Sequence, residues 1–321
     1  MAMSTIELLM KLQYEFPLNR RPFDEISKIL DMDTGQLLNI VKNLRERRII
    51  RRLGAVLNYR ARKLEAALVG LQVPDPHVED IAEFINNLGG VSHNFLREHK
   101  YNIWFVIKRR TLNDIVNIVR ELVNRYRVKN YVILRSVKTY RLDVRFNLYR
   151  GISEAKRLRE ADSVPTLEEV TKLPIEILKE LKDVPIVENP FDEICGKYGI
   201  DVEQFLYEIR RLIELNVLRD FYAVLNQDLV NFKVNAMVIV KTSNIEKILS
   251  IREPTHIVLR EFVDGTERFG QGLYLMVHAV SRDIVIRFLK EKLRDFEHLV
   301  IYSTRNLLPE MPHDVEYMPT P

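Results

Sequence analysis

Hydrophobic positions recur along this chain at two periods, one helical and one extended. In "STIELLMKLQYEF" (4–16), "PFDEISKIL" (22–30) and "DTGQLLNIVKNLRERR" (33–48) apolar residues return every three or four places, which predicts three short helices. Pro22 suits a first helical turn and Asp33 an N-cap, with Leu37, Ile40, Val41 and Leu44 forming one stripe behind it. "IIRRLGAVLNY" (49–59) then reads as a strand pair, and three helices followed by a β-wing is the pattern of a winged helix-turn-helix. From residue 65 the period changes. "EAALVGLQVP", "VSHNFLRE", "YNIWFVIKR" and "VKNYVILRSVKTY" predict strands, while "HVEDIAEFINNLGG" and "LNDIVNIVRELVNRY" predict helices between them. Their order is βαββαβ, the ferredoxin-like unit, whose sheet carries helices on one face and needs a cover for the other.

The pattern is then written a second time. "RPFDEISKIL" at 21–30 and "NPFDEICGKYGI" at 189–200 share PFDEI, and a shift of 168 carries Pro22 onto Pro190 and "GAVLN" (54–58) onto "YAVLN" (222–226). With a few insertions "VSHNFLRE" (91–98) answers "PTHIVLRE" (254–261), and "NIWFVIK" (102–108) answers "GLYLMVH" (272–278). The period is too long for a solenoid, so this is one module duplicated. The expected organisation is a winged helix-turn-helix over 1–62, a ferredoxin-like domain over 63–146, a polar linker over 147–173, a second winged helix-turn-helix over 174–229 and a second ferredoxin-like domain over 230–321. The fold class is α+β, and two open sheets in one chain predict an internal pseudo-dimer in which each covers the other. Further homo-dimer formation is left open.

Composition narrows the class. Hydrophobic residues at 46% and charged residues at 29% describe a folded chain and exclude a wholly disordered one. The lone Cys195 excludes an intrachain disulfide framework and a cysteine-clustered zinc site, and it fits a reducing compartment. No apolar run approaches the roughly 20 residues that cross a bilayer, and the N-terminus lacks a signal-peptide profile, so the expected location is the cytoplasm, away from membranes. The net charge of +4 conceals an asymmetry. Residues 1–150 carry 27 Lys and Arg against 16 Asp and Glu, a net of +11, and the remainder 22 against 29, a net of −7. Anion binding is therefore expected to draw on the first half.

One stretch concentrates the chemistry. "VSHNFLREHKYNIW" (91–104) holds two histidines, Arg97, Lys100, Tyr101 and the only tryptophan, Trp104. Strand alternation puts His93, Phe95 and Arg97 on one face and Asn94 and Leu96 on the other. Across the turn, Tyr101 and Ile103 are expected to share one face, Asn102 and Trp104 the other. The second copy repeats the Ser/Thr-His-x-x-Leu-Arg-Glu register through His256 and Arg260.

A winged helix-turn-helix followed by βαββαβ resembles the Lrp/AsnC family of transcription regulators across each half. "IIRRLGAVLN" (49–58) with "VSHNFLREHKYNIWFVIK" (91–108) resembles more sharply the siroheme decarboxylases, a branch of that fold that converts siroheme to didecarboxysiroheme with two homologous subunits; this chain looks like both fused. Copy two, reading "THIVLREFVDGTERFGQGLYLMVH", departs from the His-, Arg-, Pro-, Trp- and Tyr-rich stretch usual in the other subunit type. The resemblance implies a flat, iron-bearing macrocycle with carboxylates on its rim as substrate. Such a ligand asks for apolar faces and a ring of cations. Arg51, Arg52, Arg97, Lys100 and Arg260 are the candidate carboxylate clamps, with Lys138 and Arg141 as weaker ones; Trp104, Tyr274 and His278 are candidate substrate contacts. Loss of carbon dioxide requires a proton at the new methyl carbon, for which His93 or its twin His256 is the first choice, Arg97 or Arg260 holding the departing carboxylate and Tyr101 an alternative donor. The macrocycle is its own electron sink and brings its own iron, so no added cofactor and no protein metal site are expected.

The rival reading is a DNA-binding regulator, since fold alone does not separate the two. The recognition-helix equivalent of copy two, "DVEQFLYEIRRLIELN", puts Asp201, Glu203 and Glu208 where phosphates would approach, which argues against DNA as a partner. A non-catalytic tetrapyrrole-binding protein is the remaining alternative.

Overall fold

The computed structural model describes residues 3–161 and 163–308, with side chains from residue 5. The repeated modules regroup by type into two compact units. The helical unit runs to Arg62 and resumes over Asp143–Lys233; the sheet unit comprises Lys63–Leu142 and continues from Val234.

In the helical unit the duplication is visible residue by residue. Helices Pro22–Ile29 and Thr34–Glu46 answer Pro190–Tyr198 and Val202–Glu214. Asp33 Oδ1 accepts from the Gln36 amide at 3.0 Å and Asp201 Oδ1 from the Gln204 amide at 2.9 Å, satisfying one orphan donor at each helix start. Phe23, Ile26, Leu37, Val41 and Leu44 are buried, and so are their twins Phe191, Ile194, Phe205, Ile209 and Leu212.

Two features of the helical unit differ from what local periodicity predicts. The strand pair read from "IIRRLGAVLNY" is not local: Ile50–Gly54 pairs antiparallel with Tyr222–Leu225, which in the second copy answers residues 54–57, while Tyr59–Arg62 forms a 3-10 turn. A single wing strand leaves backbone groups unpaired, and the wing segment of the second copy supplies the missing ladder. The polar stretch 147–173 is solvated only in part: Leu167–Val170 forms a short helix with no buried residue, but the residues before it fold inward. Phe146–Asn147 pairs with Ile152–Ser153, and Ile152, Ser153, Ala155 and Glu160 are buried. Within the stretch Glu160 pairs with Arg219, and the amides of Lys156 and Arg157 donate to Asp143 Oδ2 at 2.8 and 2.9 Å.

The sheet unit contains eight strands among the described residues: β1 (Glu65–Gln72), β2 (Val91–Arg97), β3 (Ile103–Arg109), β4 (Asn130–Leu142), β5 (Val234–Lys241), β6 (His256–Gly265), β7 (Gly272–Ala279) and β8 (Glu297–Asn306). The first four are ordered β4-β1-β3-β2 and the last four β8-β5-β7-β6, the expected ferredoxin-like order in each copy. The copies do more than face each other. β2 pairs with β8 and β4 with β6, so the edges of both sheets are consumed and the eight strands close into one antiparallel barrel. Register shifts at Ile257/Val258, Leu259/Arg260 and Phe262/Asp264 in β6 supply the bulges that bend a long strand around the closure.

Alternation along each strand separates two cores. Outside the barrel Ala67, Val69, Leu71, Ile103, Phe105 and Ile107 pack under Ile81, Ile85, Ile115, Val119 and Leu122 of the covering helices. Inside it Leu68, Trp104, Val132, Leu134, Met237, Ile239, Tyr274 and Ile301 form a second cluster. Trp104 fits because its cross-strand partner is Gly70, where an added Cβ would lie 2.9 Å from the indole ring and 3.0 Å from Val132 Cγ1. Gly70→Val is therefore expected to lose about 1–3 kcal/mol through overpacking. Urea unfolding measures this, and unchanged stability would contradict the indole's placement.

Candidate functional site

The barrel order and direction decide which residues meet. β2 and β6 stand four strands apart in either direction around the barrel, and an even number of antiparallel steps makes them run the same way. Their first inward residues, His93 and His256, therefore meet across the lumen at one end. The ring centroids are 6.0 Å apart at an interplanar angle of 85°. Each ring is oriented by the hydroxyl of the residue before it, Ser92 Oγ at 3.1 Å from His93 Nδ1 and Thr255 Oγ1 at 2.9 Å from His256 Nδ1. Thr255 also donates to the Met276 carbonyl at 3.1 Å. A hydroxyl has one proton, so His256 Nδ1 is the donor in the first of these contacts, and in a protonated ring Nε2–H is the remaining acid. His93 is exposed and His256 half-buried, which marks this end as the mouth.

The expected alternation in β2 is present. His93, Phe95 and Arg97 line the lumen, with the His93 and Phe95 rings stacked at 6.3 Å and the Arg97 guanidinium 5.0 Å from the Phe95 centroid. Asn94 turns outward to Asn86, and Leu96 joins the outer core. Arg97 is only 5% exposed. Its Nη1 donates to the Asn235 and Ile301 carbonyls at 3.4 and 3.3 Å, its Nη2 to Asn235 Oδ1 at 3.0 Å, and its buried Nε has no partner among the described residues. All of these acceptors are neutral. Burial alone pulls the group down to about 9, still cationic at neutral pH.

The second copy contributes Arg260, whose Nη1 donates to Ser136 Oγ at 2.9 Å and whose guanidinium lies 5.4 Å from the Tyr274 ring centroid. The Tyr274 hydroxyl is buried against Gly270 and has no hydrogen-bond partner among the described residues, and burial raises its pKa. His278 sits across from Asn235 in the β5–β7 ladder and is buried. It is pushed down to about 3, first by burial and then by the positive charge of Arg97 and by His93, so at neutral pH it is an uncharged imidazole beside a cation.

Several candidates fall elsewhere. Lys100 and Tyr101 lie past the far end of β2, where Glu267 Oε1 takes both, Lys100 Nζ at 2.6 Å and the Tyr101 hydroxyl at 2.9 Å. Tyr101 is thus removed from the proton-donor set: it is separated from the histidine end by the length of a strand, and burial followed by the bond to Glu267 pushes it up to about 12. It does not share a face with Ile103, because it precedes β3, and it packs inward on Trp104 and Phe269. His99 is half-buried with its ring 5.1 Å from Phe269, and burial lowers its pKa. Trp104 is 1% exposed and gives its Nε1–H to the Tyr101 carbonyl at 2.5 Å, which makes it a wall of the barrel core rather than a free stacking face. Arg51 and Arg52 belong to the helical unit, Arg51 exposed and Arg52 donating to the Lys182 carbonyl at 3.4 Å. Arg141 is structural, its guanidinium tied to the carbonyls of Leu249, Ile251 and Pro254. Lys138 lies 4.9 Å from the Tyr140 ring centroid.

Asn235 was not singled out from the sequence, though a signal existed: it is the one polar residue in the apolar run Val234–Val240. Among the described residues no group of three or more His, Cys, Asp or Glu is arranged to hold a metal ion, and no helix is long and apolar enough to cross a membrane.

Comparison with known proteins returns a helix-turn-helix domain and an AsnC-like ligand-binding domain in the first half of the chain. Residues 6–51 match the siroheme decarboxylase NirDL-like HTH domain and residues 64–141 the AsnC-like ligand binding domain. The chain is 27% identical over 311 residues to the siroheme decarboxylase of Hydrogenobacter thermophilus, covering 93% of this chain and 91% of that one. It is 31% identical over 143 residues to the siroheme decarboxylase alpha subunit of Nitratidesulfovibrio vulgaris, covering 44% of this chain and 80% of that subunit. The fold matches the crystal structure of the siroheme decarboxylase NirDL with a TM-score of 0.63 at 24% identity, over 95% of this chain and 92% of that one; a second structure of NirDL holds an iron-uroporphyrin III analogue. The chain belongs to the siroheme decarboxylase family.

The buried His278 gives a sign-defined pH dependence. Between the ordinary value of 6.5 and about 3 the unfolded chain binds a proton at this residue that the folded chain refuses. Its contribution is intact above 6.5 and lost as the pH falls, by up to about 1.4 kcal/mol for each pH unit inside that window. Denaturation between pH 7 and 4 is expected to show a shallower acid arm for His278→Gln than for the parent, and parallel arms would contradict the burial of a neutral imidazole.

Proposed function

We propose that this chain is a carboxy-lyase that removes carbon dioxide from acetate side chains of siroheme, giving didecarboxysiroheme. The observation that carries the reading is Arg97, a buried cation on the lumen face that β2 shares with His93, with no carboxylate partner among the described residues. An uncompensated buried charge is destabilising by several kcal/mol, and an anionic ligand removes that penalty. Siroheme offers carboxylates around a flat apolar ring, which suits a lumen lined by guanidinium, imidazole and Phe95.

In the reaction the bond between the acetate methylene and its carboxylate carbon breaks, the electron pair passes into the macrocycle, and carbon dioxide leaves. A proton then adds at the methylene carbon to make a methyl group. No oxidant is consumed, and one proton is taken up for each carbon dioxide released. Arg97 and Arg260 hold rim carboxylates in place. His93 and His256 stand at the mouth as proton donors, the Nδ1 contacts to Ser92 and Thr255 fixing how each ring is presented. His278, uncharged, serves as a polar wall rather than an acid.

Anaerobic incubation with siroheme tests the reading. The expected result is a pigment lighter by two carbon dioxides. His93→Ala or His256→Ala is expected to slow turnover by about 10²-fold or more while the visible spectrum of bound substrate is retained. A spectral shift with no change of mass would indicate a tetrapyrrole-binding protein, and neither change together with protection of a DNA operator would indicate a regulator. Undiminished turnover in both histidine variants would overturn their assignment as donors.

A further inference from the structure

Resting on the proposed reading, we infer that Asn235 is a positioning residue: it fixes the Arg97 guanidinium through a neutral acceptor, so that the positive charge stays available for a substrate carboxylate. Two of the three acceptors around Arg97 are main-chain carbonyls, those of Asn235 and Ile301, which any side chain at these positions would leave in place. The third, Asn235 Oδ1 at 3.0 Å from Nη2, is a side-chain choice. The barrel does not need an amide there. Asn235 pairs with His278 in the ladder of copy two, and the matching position of copy one, opposite Lys108, is Ala66. Arg260, the twin of Arg97, takes Ser136 as its side-chain acceptor instead.

An aspartate at 235 would reach the same guanidinium with a stronger, charge-assisted bond, and a fold-driven choice would favour it. It would also neutralise Arg97. An amide oxygen orients the group, leaves Nε without a protein partner and preserves the charge. The arrangement is what a carboxylate-binding guanidinium requires before its ligand arrives.

Asn235→Asp separates this role from a packing role. In the full-length protein, melting temperature, turnover of siroheme and binding of iron uroporphyrin, a polycarboxylate probe read by its Soret band, are measured together. The expected outcome is a melting temperature equal to or above the parent's, with binding of the porphyrin at least about tenfold weaker and KM for siroheme raised more than kcat is lowered. Asn235→Ala, which keeps the charge, is expected to weaken binding less than Asn235→Asp. Parent-like porphyrin affinity in Asn235→Asp, or equal losses in the Asp and Ala variants, would overturn the inference. So would a large fall in melting temperature for Asn235→Asp, because it would show that the amide serves the fold. A parent protein that neither binds the porphyrin nor acts on siroheme would overturn the functional reading itself, and this inference with it.

Discussion

A guanidinium enclosed by a β-barrel and met only by carbonyl oxygens is the constraint on which the other features of this structure turn. Arg97 remains cationic in its buried position, although burial pulls its pKa down to about 9. That charge helps hold His278 neutral beside it. It is reached only because β2 enters the lumen with His93, Phe95 and Arg97 on one face, and β2 can do so only because its free edge is covered by β8 of the second copy. The folding of the duplicated chain and the electrostatics of the site are therefore one problem: closing the barrel creates both the low-dielectric interior and the mouth at which two histidines meet.

Duplication supplies symmetry, and the site depends on where the symmetry is broken. His93 and His256 with their hydroxyl partners are near-exact twins. Beyond them the copies diverge. Trp104 is admitted by Gly70 and has its indole N–H satisfied, whereas its twin Tyr274 leaves a buried hydroxyl without a partner among the described residues. Lys108 in one copy answers His278 in the other, and Ala66 answers Asn235. A barrel with two identical halves would present the same cations to both sides of its ligand. Unequal halves let one lumen treat different edges of the ligand differently, which a macrocycle with several carboxylates of unequal fate requires.

The sequence shows local periodicity well and long-range partnership poorly, and the particular residues bear this out. The helix cap at Asp33, the βαββαβ order and the shared face of His93, Phe95 and Arg97 follow from spacings of a few residues and are legible in the sequence. What was misread concerns residues whose setting is fixed by distant chain. The wing strand at Ile50 finds its ladder in Tyr222–Leu225, and the charged stretch after residue 147 is drawn inward because Arg219 accommodates Glu160. Tyr101 is an alternative proton donor in the reading the resemblance implies, yet Glu267, more than 160 positions away, binds its hydroxyl. Asn235 was missed for the complementary reason: a lone amide in an apolar strand is conspicuous only once Arg97 is seen to need an acceptor.

The most direct measurement of the central claim is a structure of this protein with an octacarboxylate iron porphyrin bound. The account predicts a ligand carboxylate within hydrogen-bond distance of Arg97 Nε, with the His93 and His256 rings facing the macrocycle rim. A bound porphyrin that leaves Arg97 with its carbonyl partners alone, its charge still unmatched, would contradict it.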